Sequence, residues 1–160
     1  MALKNLLGQG PNYVPAYQTS GTPYVTSSLA TGKTAGPQKI EFPYVTKTIT
    51  VQNLGTSIDL RVAFTMSGSY AVGESIGDVE KIASNQRNDA YQGNNYFVLP
   101  AAAATNTPSR ITLDVRCREL FLMSAHDTTT TAFSVYAGLT GISTQEFPVL
   151  SASNEFKGVG

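Results

Sequence analysis

The amino-acid sequence predicts an all-β protein: a single antiparallel β-sandwich behind an extended N-terminal arm. Three observations lead there. Several segments alternate apolar and polar residues with period two, the pattern of half-buried strands. No segment carries the strong 3.6-residue apolar repeat of an amphipathic helix. Charged residues make up only 14% of the chain, against roughly 25% in ordinary soluble domains. Thr, Ser, Asn, Gln and Gly take their place, giving a polar, weakly charged surface suited to lying against other protein.

Residues 1–38 read as the arm and 39–160 as the body. The arm holds five Gly, four Pro and no acidic residue, and neither helical nor alternating periodicity lasts beyond a few positions. Proline favours extended backbone. Tyr13, Val14, Tyr17, Tyr24 and Val25 are spread along it as anchor points that need no local core. The tetrapeptide Pro-Tyr-Val-Thr occurs twice, at 23–26 and 43–46. Only the second leads into an alternating run, so the first is expected to be a short extended piece of the arm.

From Lys39 the body begins. Val45, Ile49 and Val51 share one face of a strand, with Thr46, Thr48 and Thr50 on the other. A turn at Asn53-Leu54-Gly55 leads to Ile58, Leu60, Val62, Phe64 and Met66 inward, with Asp59, Arg61 and Thr65 outward. A hairpin joining 44–52 to 57–66 is expected. Residues 67–95 are a long polar excursion, with a short strand at 69–73 and a helical turn near 78–85. A strand follows at 95–101. Residues 110–123 alternate with Ile111, Leu113, Val115 and Cys117 inward; Arg116 and Arg118 point outward with Asp114 among them. The phase is lost after Glu119, which a β-bulge or burial of both faces explains. Phe133, Val135, Ala137 and Leu139 mark a strand at 132–139, and 146–152 reads as the last one. Seven or eight short strands joined by long, uneven links fit a jelly roll better than a tight up-and-down barrel.

The chain offers little for chemistry. Eleven basic and eleven acidic residues cancel, which argues against direct nucleic-acid binding or an anionic membrane surface. Single Cys117 excludes an internal disulfide. The N-terminal apolar patch is too short for a signal peptide, and no run approaches a membrane span, so synthesis in a cytoplasm is expected. His126 is the only histidine, and its neighbours Ser124 and Asp127 do not make a triad by adjacency. A dyad of Cys117 with His126 is far less expected than a core thiol and a solvated loop histidine. Glu74, Asp78 and Glu80 lack the ligand alternation of a calcium loop. The glycines of Gly8-Gln9-Gly10 follow no strand and precede no Lys-Ser/Thr. No cofactor, metal or catalytic residue is assigned; a protein-contact role is expected instead.

The stretches SGTPYVTSS, IEFPYVTKTITVQN, LRVAFTMSG, NYFVL and RCRELFLMSA, in that order behind an arm, resemble small virion structural proteins built on one jelly roll. Such proteins are minor capsid, cement or penton-like components of tailed phages and large DNA viruses. The resemblance implies a trimer or pentamer on a capsid shell, contacting other capsid proteins, with Tyr13, Tyr17 and Tyr24 seated in neighbouring subunits. The alternative is a receptor- or carbohydrate-binding sandwich of a virion fibre or surface, weakened by the absence of Trp. A cupin-like enzyme would bring several histidines to a metal, and this chain has one.

Overall fold

The computed structural model describes residues 23–71, 75–76, 79–81, 95–102 and 107–146. The strands are β1 (Tyr24–Ala30), β2 (Gln38–Glu41), β3 (Tyr44–Asn53), β4 (Leu60–Ala63), β5 (Ser75–Ile76), β6 (Val79–Lys81), β7 (Tyr96–Leu99), β8 (Ser109–Leu113), β9 (Glu119–Ser124) and β10 (Thr131–Ser143). Two four-stranded antiparallel sheets form the sandwich, in the orders β1-β10-β3-β8 and β2-β9-β4-β7, and β5 pairs with β6 alone. No α-helix occurs among the described residues; the only helical pieces are single 3-10 turns at Lys33–Ala35, Ser67–Ser69 and Thr144–Glu146. The predicted all-β sandwich is the observed architecture.

The core lies between the inner faces. Ile49 and Val51 of β3 and Phe133, Val135 and Ala137 of β10 meet Ile40 of β2, Leu60 and Val62 of β4, and Leu120 and Leu122 of β9. Each of the Ile, Val, Leu and Phe side chains, taken from water, contributes about 1.5–3 kcal/mol. Strands 2-periodic in sequence place these residues on one face, which is why their inward assignment from the alternation holds.

The connections differ from expectation. Strands β3 and β4 lie in different sheets, so the hairpin joining 44–52 to 57–66 does not form. Buried Asn53 accounts for the crossing: its Nδ2 donates to the carbonyls of Ile58, Leu99 and Pro100 at 3.0–3.1 Å. Its Oδ1 accepts from the Gly55 N–H and the Thr131 hydroxyl. A saturated buried amide thus clamps the two sheets at one end, because an unsatisfied one would cost roughly 1–3 kcal/mol. Likewise 110–123 is two strands, with β8 in the first sheet and β9 in the second. Asp114, Arg116 and Arg118 therefore lie on the crossover and not on a common strand face. Strand β9 is buried on both faces from Leu120 onward, which explains the lost phase.

Thr46, expected on the polar face, is buried as well. The register between β10 and β3 shifts after Gly138–Thr48, so that Leu139 meets Thr46 and Lys47 is the extra residue. The bulge turns Thr46 inward, where its hydroxyl donates to the Val115 carbonyl at 2.7 Å and accepts the Cys117 N–H at 3.0 Å.

Residues 23–38 belong to the sandwich and not to an arm. β1 pairs with β10 from Tyr24–Ala137 to Ala30–Thr131. The β1–β2 link is bound to the β9–β10 loop: the N–H groups of Lys33 and Thr34 donate to the carbonyls of His126 and Asp127, and Lys33 Nζ lies 2.7 Å from Asp127. A Cβ on Gly32 would stand 2.5 Å from the Asp127 carbonyl oxygen, so only glycine fits this approach. The short strand predicted at 69–73 is not formed over 69–71, and part of the helical turn predicted at 78–85 is the strand Val79–Lys81. Of the predicted last strand, Glu146 ends a 3-10 turn; residues 147–152 lie outside the described residues.

Candidate functional site

The two sheets treat their outer faces differently. On the second sheet the chain covers the outer face over β4 and β9, while Val98 of edge strand β7, opposite Arg61, is 44% exposed. Arg61 of β4, read from the sequence as outward, does point away from the core yet is only 8% exposed. Its guanidinium stacks 4.5 Å over the Tyr96 ring and donates to the Ser69 carbonyl at 3.4 Å. Tyr70 packs on Met123 of β9 beside it. Met66, predicted inward, is exposed, because β4 ends at Ala63 and the chain turns away.

On the first sheet the outer face leaves large apolar side chains exposed. Its strand pairings set side chains in rows. One row runs Val25, Tyr136, Thr50, Thr112, and the next runs Ser27, Ser134, Gln52, Arg110. Hydroxyls bridge neighbouring strands, Ser27 to Ser134 at 3.0 Å and Thr50 to Thr112 at 2.9 Å. Val25 is 66%, Leu29 55% and Tyr136 46% exposed. Neither β1 nor β10 contains a charged residue, so covering this face desolvates no ion there, and uncharged hydroxyls already paired sideways cost little to bury. The face therefore combines exposed apolar side chains with a ladder of hydroxyls and little charge.

The sequence-predicted anchors separate on this basis. Val25 lies on the exposed face. Tyr24 faces the other way, onto this chain's own core, with its ring edge-on to Phe42 at 5.3 Å and 85°. It is partly buried there, packed against this chain's own core. Tyr13, Val14 and Tyr17 lie outside the described residues. Tyr136 and Leu29 were not singled out from the sequence. Tyr136 breaks the polar alternation of β10, and that exposed aromatic was the available signal.

The described residues weighed for chemistry are packed or hydrogen-bonded within the body. Cys117 is buried in the core cluster, and burial pushes its thiol up to about 11 despite the hydrogen bond with Thr46. His126 is an exposed loop residue whose Nδ1 accepts the N–H groups of Thr128 and Thr129. Ser124 is buried and its Oγ accepts the His126 N–H, while Asp127 pairs with Lys33. These contacts shape the β9–β10 loop. Glu74 and Asp78, and the side chain of Glu80, lie outside what the structure describes. Among the described residues no three His, Cys, Asp or Glu side chains gather as metal ligands, and no helix is long and apolar enough to cross a membrane.

No known protein family, curated protein or solved structure matches this chain.

Proposed function

We propose that this protein is a non-enzymatic structural component of a virus particle. In this role it joins or decorates capsid subunits through the outer face of the first sheet and through the segment ahead of Pro23. The observation that carries the reading is the contrast between the faces: one is covered over β4 and β9 and exposes Val98 alone of its large apolar side chains, while the other presents Val25, Leu29 and Tyr136 on uncharged strands. Patches of this kind on a protein surface mark contacts with other proteins.

Strand order supports a jelly roll within this reading. β1 pairs with β10, β2 with β9, β3 with β8 and β4 with β7, as in a ribbon of strands folded in half and rolled into two sheets. The resemblance in sequence style to jelly-roll virion proteins points the same way, toward a trimer or pentamer located in the particle.

Light scattering on the full chain over a range of concentrations tests the reading. A discrete trimer or pentamer, reduced to monomer by Val25→Ser with Tyr136→Ser, is the expected result. A folded monomer at every concentration would leave the exposed face to a different protein, and binding to glycans in that state would favour the receptor-binding alternative.

A further inference from the structure

Among the described residues the sandwich ends in four strand edges, and three of them carry guards against further pairing. β2 holds Lys39, 2.6 Å from Glu41 and 3.0 Å from Glu119. β7 is four residues long and is followed by Pro100. β8 follows Pro108 and carries exposed Arg110. β1 is seven residues long, Tyr-Val-Thr-Ser-Ser-Leu-Ala, with neither charge nor proline, and no described strand lies beyond it. An edge of that kind invites another strand.

The backbone groups on each side of β1 can be assigned. The Leu54 N–H donates to the Ala132 carbonyl, so even-numbered residues of β10 turn their backbone groups toward β3 and odd-numbered ones toward β1. Phe133, Val135 and Ala137 oppose Ser28, Thr26 and Tyr24. Those β1 residues are thus bonded to β10, and Val25, Ser27 and Leu29 turn N–H and C=O away from it. The side chains follow a symmetric pattern. Val25 and Leu29, both more than half exposed, stand two residues either side of Ser27 on the outer face. On the other face Thr26 and Ser28 flank the same residue, and Ser28 is exposed although it lies opposite buried Phe133.

We propose that β1 pairs with β1 of a second copy of this chain, antiparallel about a twofold axis at Ser27. In that register Ser27 faces Ser27 of the partner, and Val25 faces Leu29 of the partner on both sides of the axis. These are the residues whose N–H and C=O groups point away from β10, so each opposed pair exchanges two N–H···O bonds. The pattern of β1 is its own complement: apolar meets apolar, hydroxyl meets hydroxyl, and no charge is enclosed. Thr26 meets Ser28 of the partner on the other face, which covers the side left exposed at Ser28. Pro23, lacking an N–H, ends the ladder ahead of Tyr24. Two four-stranded sheets become one of eight strands. An isologous contact closes at two copies, so this inference goes beyond the virion role and does not rest on it. Where outer-face contacts build a trimer or pentamer, β1 pairing joins two of them, and Val25 serves both contacts.

Oxidative cross-linking of full-chain variants tests it. Ser27→Cys faces its own copy, where paired Cα atoms stand about 5.5 Å apart, within disulfide reach. Ser28→Cys, also exposed, sits opposite Thr26 of the partner and only diagonal to its own copy. The first variant is expected to link into dimers about tenfold or more faster than the second, and buried Cys117 does not compete. Residue-resolved amide exchange supplies a second readout. In the unaltered chain, exchange at Val25, Ser27 and Leu29 is expected to slow as protein concentration rises. Ser27→Lys, which sets two ammonium groups against each other, is expected to remove that dependence. Ile49 and Val51 amides, in the central strand, report that each variant is folded. Equal linking of the two cysteine variants overturns the proposal. So does exchange at the three amides that is the same at every concentration, whether fast or slow; slow exchange of that kind would assign the edge to the chain itself. Tyr136→Ser keeps this test apart from the virion reading: added to Ser27→Cys, it is expected to break a trimer or pentamer and leave the linking unchanged. Loss of linking in that variant would give the contact to the outer face and overturn the proposal.

Discussion

At 23–26 the sequence Pro-Tyr-Val-Thr points Tyr24 into the sandwich and leaves Val25 two-thirds exposed; at 43–46 the same four residues leave Tyr44 48% exposed and bury Val45 and Thr46 completely. Local propensity is identical in the two places, so it cannot have chosen. Pairing chose. Tyr24 sits opposite Ala137, an inward residue of β10, whereas Tyr44 sits opposite Ser143 beyond two register shifts. Because side chains alternate along a strand, one residue of slip exchanges the faces. The lesson is that a tetrapeptide specifies an extended backbone, and the partner strand specifies which side of it is the core.

The comparison is broken most severely at the valines. Val45→Asp places a charge in the core without a partner and is expected to cost about 4 kcal/mol or more, enough to abolish folding. Val25→Asp should stay within about 0.5 kcal/mol in urea unfolding of the monomeric protein. Equal losses would mean that Val25 is covered within the monomer.

The threonines come next. Thr46→Val leaves the Val115 carbonyl and the Cys117 N–H without their partner and should cost about 2 kcal/mol. Thr26→Val, on an edge strand, is expected to change stability by less than about 0.5 kcal/mol. The tyrosines sharpen the contrast with a smaller difference. Loss of the edge-on contact with Phe42 in Tyr24→Ala should cost about 1–2 kcal/mol, and Tyr44→Ala about 0.5 kcal/mol or less, both read from the urea midpoint.

The smallest effect appears only in alkali. Cys117, held beside Thr46, is neutral in the fold up to about pH 11 because burial disfavours the thiolate. In the unfolded chain the thiol ionises near its ordinary value of about 8.5. A folded value raised above the unfolded one contributes stability that is complete below the unfolded value and lost as pH rises toward 11. Unfolding free energies measured from pH 8 to 11 should therefore fall less steeply in Cys117→Ala than in the natural chain.

Much of the core could be read from the chain. Ile49, Val51, Leu60, Val62, Phe133, Val135 and Ala137 are all inward as their alternation requires. Thr46 and Arg61 were not legible: one is turned in by a bulge at Lys47, the other is covered by residues distant along the chain. The exposed face was half legible. Val25 and Tyr24 read alike from the sequence, as anchors along an extended segment, yet Val25 is exposed while Tyr24 packs, partly buried, against the core. Nothing within β1 distinguishes the two, since both are large, apolar and in an extended segment.

By itself, then, the sequence determined that this protein is made of strands, because β-branched and aromatic residues alternating with short polar ones have no other way to bury a continuous face. It determined the weak charge that makes an exposed sheet face cheap to cover. Which strands are neighbours, where β3 and β8 leave their sheet, and whether a given Tyr-Val pair is core or surface were decided by the tertiary structure alone. Those outcomes depend on partners far apart in sequence, such as Asn53 with Leu99 and Tyr24 with Phe42 and Ala137, and contacts of that kind exist only once the two sheets have closed on one another.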